Sequence, residues 1–185
     1  MAIKAVFLDR DGVITQEPPH YAHRPDQMAL IPGAGDAIRR LNENEYAVIV
    51  ISNQAGIAYG FYQEEDTLSF NRAMSEELAQ AGARLDAVYF CPHHAEAKIE
   101  RYRLDCDCRK PKPGMLLKAR EEHGIDMKQS FMIGDKLTDI EAGNNAGCKT
   151  ILVKTGYGRE TAQNIRIPCD HIADDLYDAV RFILD

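Results

Sequence analysis

Ala5-Val6-Phe7-Leu8-Asp9-Arg10-Asp11-Gly12 is a short apolar run that ends abruptly on two acids, one residue apart, and a glycine. A run that is apolar at every position, rather than at alternate ones, reads as a strand buried on both faces, as in a parallel sheet. Gly12 allows the chain to turn sharply, and the alternate spacing lets Asp9 and Asp11 point towards one pocket. Outward from this stretch, residues 47–51, 87–90, 131–133 and 150–153 repeat the apolar pattern. Residues 33–44, 64–81, 114–123, 138–146 and 174–184 read as helices, with Leu68, Met74, Leu78 and Ala81 as the expected apolar stripe of the second. Asp174 and Asp175 are candidate caps for the last helix, and Leu176, Val180 and Ile183 its expected anchors. This alternation predicts an α/β domain with a parallel sheet covered by helices.

At 185 residues, 45% hydrophobic and 28% charged, the chain has the length and balance for one domain, residues 1–185, with a full core. The net charge of −7 argues against nucleic acid or an anionic membrane as a partner, while leaving room for a phosphorylated small molecule in a locally cationic pocket. The leading apolar run is too short for a signal-peptide core or a membrane span, so a cytoplasmic location is expected. The five cysteines are odd in number, and three of them, Cys91, Cys106 and Cys108, crowd together, which fits a reducing compartment and a metal better than disulfides. Cys148 and Cys169 read as structural, and a monomer is expected.

In open α/β sheets, ligands bind beyond the carboxyl ends of the strands, so the polar residues there carry the chemistry. A carboxylate at Asp9 can attack phosphorus to form an acyl phosphate, and a second at Asp11 can protonate the leaving oxygen and then activate water. Two acids ending a strand would by themselves read as a solvated turn; their companions overturn that reading. Ser52-Asn53-Gln54 offers a hydroxyl and two amides, with Gly56 allowing close backbone approach to phosphate oxygens. In Gly134-Asp135-Lys136-Leu137-Thr138-Asp139, Asp135 can join Asp9 in holding Mg²⁺, with Asp139 ligating or supporting that shell. Such a cation offsets the repulsion between a phosphate dianion and the carboxylates, and Lys110 adds a fixed positive charge opposite it.

Cys91-Pro92-His93 and Cys106-Asp107-Cys108 offer three thiolates and an imidazole across a polar loop, with twelve residues between His93 and Cys106. That set suits a four-coordinate structural zinc with no open position for water, and His94 is a rival to His93 as ligand. Arg109 carries a planar fork suited to a bidentate grip on an anion, and Lys136 is suited to a point charge near the magnesium.

Asp9-x-Asp11, Ser52, Lys110 and Gly134-Asp135-x-x-x-Asp139 stand in the order of the four motifs of the haloacid dehalogenase superfamily, and the chain resembles it from the first strand to at least Gly156. The resemblance implies a Rossmann-like parallel sheet with helices on both faces and no large cap. It implies that Asp9 is the nucleophile, Asp11 the acid/base, and Ser52 and Lys110 the phosphate stabilisers. Asp9, Asp135 and the Asp11 carbonyl are the implied magnesium ligands. An Asp at position 11 favours hydrolysis, because the P-type ion pumps, which lack a second catalytic acid, have none there. Cys91-Pro92-His93-His94 with Cys106-x-Cys108-Arg109-Lys110-Pro111-Lys112-Pro113-Gly114-Met115 is similar to the zinc-bearing branch that includes the heptose bisphosphate and histidinol phosphate phosphatases. Asp9-Arg10-Asp11-Gly12 and Ser52-Asn53-Gln54-Ala55-Gly56-Ile57 match that branch as well. There Cys91, His93, Cys106 and Cys108 correspond to the zinc ligands and Arg109 to a substrate-recognition residue, with Asn53, Gln54 and Lys136 as further candidate substrate contacts. The implied reaction is removal of the 7-phosphate of D-glycero-D-manno-heptose 1,7-bisphosphate through an aspartyl phosphate, in nucleotide-activated heptose biosynthesis. Histidinol phosphate is the alternative substrate. Segment 16–23, with Pro18-Pro19, matches less well, and residues near Gln16 to Tyr21 are expected with the zinc loop to border an open pocket. A phospho-acceptor signalling domain is disfavoured, since the third strand leads into Cys91 where its acceptor aspartate would stand.

Overall fold

The computed structural model describes residues 3–17 and 23–185. Segment 18–22, which carries most of the expected pocket border, lies outside the described residues. In chain order the elements are β1 (Ala5–Leu8), α1 (Ala34–Glu43), β2 (Ala47–Asn53), α2 (Ala55–Tyr59), α3 (Glu64–Gln80), β3 (Ala87–Cys91), α4 (Gly114–His123), β4 (Phe131–Gly134), α5 (Leu137–Ala146), β5 (Lys149–Val153), α6 (Gly158–Asn164), β6 (His171–Ala173) and α7 (Leu176–Leu184).

The strands form one six-stranded sheet in the order β3-β2-β1-β4-β5-β6, and every pairing is parallel. The expected fold class therefore stands. A receiver-like domain would have the order 2-1-3-4-5. Side-chain alternation splits the sheet residues between two cores. Val6, Leu8, Val48, Val50, Ile133, Ile151 and Val153 pack with α1, α3 and α7 on one face. Ala5, Phe7, Ile49, Ile51 and Met132 pack with α4 and α5 on the other. Because both faces are covered, these strands carry no polar alternation.

The sheet order reverses between β1 and β4, which pair through Leu8 and Ile133. At such a switch point the flanking connections diverge and leave a crevice at the strand ends. Asp9 and Asp135, which directly follow these two strands, open into it.

Three elements were not expected from sequence. β6 has three residues, α2 has five, and α6 has seven, too few for periodicity to rise above noise. The stripe of α3 is also corrected: Thr67, Phe70, Asn71, Met74 and Leu78 are buried, whereas Leu68 is 53% exposed. Ala81, which caps the helix, is exposed as well. Six residues before Met74 is about 240° around a helix, so Leu68 faces water however apolar it is. Asp175 caps α7 by accepting from the Asp178 N–H at 2.8 Å, while Leu176 and Val180 are buried and Ile183 packs against the same core.

Candidate active site and metal site

Lys110 is the centre of the site, although it comes from the loop before α4. Its ammonium is 1% exposed and lies 2.9 Å from Asp9 Oδ1 and 2.6 Å from Asp139 Oδ1. It also donates to the Ile51 carbonyl at 2.8 Å. The two acids more than offset the cost of burial, so Lys110 holds its proton more firmly than a free lysine. Asn53 braces the same residue from β2: its carbonyl accepts from the Lys110 N–H and its amide donates to the Lys110 carbonyl, each at 3.0 Å.

Asp135 sits at the end of β4 with its side chain fully buried. Its Oδ2 accepts from the Tyr157 N–H at 2.8 Å. Its Oδ1 receives no hydrogen bond among the described residues, and the Lys136 ammonium stays 3.9 Å away. Burial, with the Asp9 charge second, pushes the Asp135 carboxyl up to about 8. Two glycines at positive φ make room for it, Gly12 at +85° and Gly156 at +53°; a Cβ on either would lie against Asp135 Oδ2.

Asp9, Asp135 and Asp139 each offer an oxygen within a 4.8 Å cluster. An orphaned, wholly buried carboxylate oxygen is costly unless a cation or proton meets it, so this donor set fits a hard divalent ion. Asp139 is less free than its two neighbours. Its Oδ1 is engaged by Lys110 and its Oδ2 accepts from the Lys136 N–H at 2.9 Å, which suits it to support rather than to ligate.

Asp11 lies one residue beyond Arg10, and its Oδ2 accepts from Gln54 Nε2 at 3.1 Å. The same Gln54 amide donates to Ser52 Oγ at 2.7 Å, which ties the end of β2 to the acid. Lys136 pairs with Glu17 at 3.0 Å and lies over the Tyr157 ring, 4.8 Å from its centroid. Burial raises the Glu17 carboxyl despite that lysine. Tyr157 lines two clefts, of about 390 and 610 Å³, the first lined also by Lys136 and the second by Glu17.

The second cluster brings together Cys91, His93, Cys106 and Cys108. Cys108 Sγ lies 2.9 Å from Cys91 Sγ and 3.1 Å from Cys106 Sγ, and His93 Nδ1 lies 3.4 Å from Cys108 Sγ. All five cysteines are free thiols. The hydrogen bond to Cys91, with burial second, pushes the Cys108 thiol up. Three sulfurs and one ring nitrogen within contact of a common centre fit a tetrahedral ion. His94 turns away, with Tyr59 Oη 3.1 Å from its Nδ1. Arg109 donates to the His93 carbonyl at 3.2 Å, joining this cluster to Lys110.

Arg10, Tyr62 and Asn71 join the site without any motif in the sequence that marks them. Arg10 lies 1% exposed; its place between two acids in the sequence is the only hint of this, since its burial is visible in the structure alone.

Residues 107–179 match the HAD-hydrolase-like family model. A D-glycero-beta-D-manno-heptose-1,7-bisphosphate 7-phosphatase of Pasteurella multocida (strain Pm70) is 48% identical over 83% of each chain. Its counterpart in Photorhabdus laumondii is 45% identical over 93% of each. A crystal structure of the D,D-heptose 1,7-bisphosphate phosphatase from B. bronchiseptica, complexed with magnesium and phosphate, superposes with a TM-score of 0.90 at 33% identity, covering 98% of both chains. With this site at the switch point of this sheet, and with relatives of that identity and coverage, the chain belongs to the D-glycero-beta-D-manno-heptose-1,7-bisphosphate 7-phosphatase family of HAD-like hydrolases.

Proposed function

We propose that this phosphatase removes the 7-phosphate of D-glycero-D-manno-heptose 1,7-bisphosphate, with Asp9 as nucleophile, in nucleotide-activated heptose biosynthesis. The observation that carries the catalytic reading is Lys110, pinned between Asp9 and Asp139 beside an Asp135 oxygen that receives no hydrogen bond among the described residues. The names of the relatives support the substrate.

In the first step an oxygen of Asp9 bonds to phosphorus while the phosphorus–ester oxygen bond breaks. The electron pair leaves with the sugar oxygen, which takes a proton from Asp11. In the second step Asp11 removes a proton from water as the water oxygen bonds to phosphorus. The bond to Asp9 breaks, the carboxylate is restored, and phosphate departs. Lys110 and the Ser52 hydroxyl meet the phosphoryl oxygens; the lysine, held by three partners, needs no reorganisation as charge develops. Asp9, Asp135 and the Asp11 carbonyl would hold Mg²⁺, which supplies charge neutralisation for the transferring phosphoryl group.

Cys91, His93, Cys106 and Cys108 would hold Zn²⁺ in a closed, structural site. Through the bond from Arg109 to the His93 carbonyl, that site sets where Arg109 presents its guanidinium to the rest of the sugar phosphate. Lys136 offers a further cation beside Asp135, and Asn53 and Gln54 act mainly by bracing Lys110 and Asp11. The reading extends to one domain working as a monomer in the cytoplasm, where a reducing environment keeps three thiols available to a metal.

The test compares kcat/KM for phosphate release with Mg²⁺ from heptose 1,7-bisphosphate and histidinol phosphate, with Asp9→Asn as control. A strong heptose preference that vanishes in the variant supports the whole reading. A histidinol phosphate preference would replace the substrate and keep the mechanism. Turnover that survives the substitution would remove Asp9 from its role.

A further inference from the structure

We propose that Arg10 is a positioning residue that fixes the carboxylate of Asp11 for proton transfer, and that Asn71 on α3 holds Arg10 in place to do so. The proposal rests on the reading of Asp11 as the acid/base.

Backbone geometry brings the two side chains together. In an extended strand Arg10 and Asp11 would point to opposite sides. Here the chain curls round the Arg10 carbonyl, which accepts from the N–H groups of Ile14 and Thr15, each at 2.9 Å. The guanidinium then turns onto its neighbour. Nε lies 3.2 Å from both Asp11 oxygens and Nη2 lies 2.9 Å from Oδ2.

The rest of the guanidinium is held from behind. Nη1 donates to Asn71 Oδ1 at 3.0 Å and Nη2 to Gln54 Oε1 at 3.2 Å. The Phe70 ring lies 4.3 Å from the guanidinium carbon. Tyr62 Oη donates to the same Gln54 oxygen at 2.7 Å, fixing which way that amide faces. Gln54 Nε2 and Thr15 Oγ1 complete the contacts to Asp11, at 3.1 and 3.2 Å.

A buried arginine is costly, and an apolar side chain of similar size often serves packing as well or better. The planar fork, however, can hold a carboxylate in one orientation, which a lysine cannot do. α3 serves the core through Met74 and Leu78 and reaches Arg10 through Phe70 and Asn71, of which Asn71 makes the hydrogen bond.

A packing role and a positioning role differ in how the loss depends on the leaving group. The heptose alkoxide must be protonated as it leaves, whereas p-nitrophenolate leaves without a proton. kcat/KM reports the step in which that bond breaks. The experiment measures kcat/KM for heptose 1,7-bisphosphate and p-nitrophenyl phosphate in the magnesium-loaded full chain. The variants are Asp11→Asn, Arg10→Met, Arg10→Lys and Asn71→Ala, each with its thermal midpoint. Asp11→Asn sets the benchmark, a loss of about 10²–10⁴-fold on the sugar phosphate and much less on the aryl ester.

Arg10→Met is expected to reproduce that bias with about a 100-fold loss on the sugar phosphate, the cost of an Asp11 carboxylate displaced by about 1 Å. Arg10→Lys should restore little of it, and Asn71→Ala should show a smaller loss with the same bias. If Arg10→Met does not fold, Asn71→Ala decides by the same criterion. Equal losses on both substrates, or none, with Asp11→Asn still biased would overturn the proposal alone. An unbiased Asp11→Asn would overturn the acid/base reading and this proposal with it.

Discussion

Lys110, Asp9 and Asp135 form a charge arrangement in which each side chain explains its neighbours. Lys110 offsets part of the negative charge of Asp9 and Asp139, and Asp135 keeps a buried oxygen that receives no hydrogen bond among the described residues. Asp9→Asn should therefore lower kcat by about 10⁴-fold or more, as removal of a nucleophile does, while the fold persists by circular dichroism. Glu17 is the testable residue at the rim, because it neutralises Lys136 beside a site that must accept an anion. Both side chains are about a third exposed, so the effect is discounted for screening to no more than about 1 kcal/mol. Glu17→Gln is expected to lower KM by up to about fivefold with little change in kcat; a rise in KM would show that Glu17 instead contacts the substrate.

Among the elements, the Cys/His loop between β3 and α4, proposed to hold a metal, is the most separable. It has its own small core, in which Ile57 and Ala58 of α2 pack against Ala97 and Tyr102. The Lys98 and Ile99 N–H groups both donate to the Ala58 carbonyl, at 3.0 and 3.1 Å. Stripping the metal with a chelator should leave the sheet intact and raise hydrogen exchange across residues 92–108. It should also lower kcat/KM by about 10–100-fold, since Arg109 and Lys110 lose their support. Cys108→Ser should do the same without a chelator; unchanged exchange in that loop would show that no metal orders it. α3 provides a second check by urea unfolding. Met74→Ala, at a wholly buried position, should cost about 2–5 kcal/mol, while Leu68→Ser should stay within about 0.5 kcal/mol.

At the scale of the whole molecule, the packed sheet holds acids that would repel one another at neutral pH without a cation. The Asp135 carboxyl is raised from 3.8 to about 8, and those of Asp139 and Glu17 are raised as well. A carboxyl raised in the folded state binds its proton more tightly there than in the unfolded chain. Its contribution to stability is complete below about 3.8 and is lost as pH rises through about 8. Metal-free protein should accordingly lose thermal stability between those values, and Mg²⁺ should restore more at pH 8 than at pH 5, as measured by scanning calorimetry. A melting temperature that is flat with pH and indifferent to Mg²⁺ would argue against a cation at Asp135. The sequence by itself determined the strands that follow apolar runs, the two covered faces of the sheet, the four phosphoryl-transfer motifs and the Cys/His set. Each depends on local composition and spacing, which a linear chain displays. Tertiary structure alone decided that Asn53 braces Lys110, that His94 turns to Tyr59, and that Arg10 grips Asp11. It also decided the phase of α3 and the existence of β6. These depend on which groups meet across distances of many residues, where burial and hydrogen-bond geometry outweigh local preference.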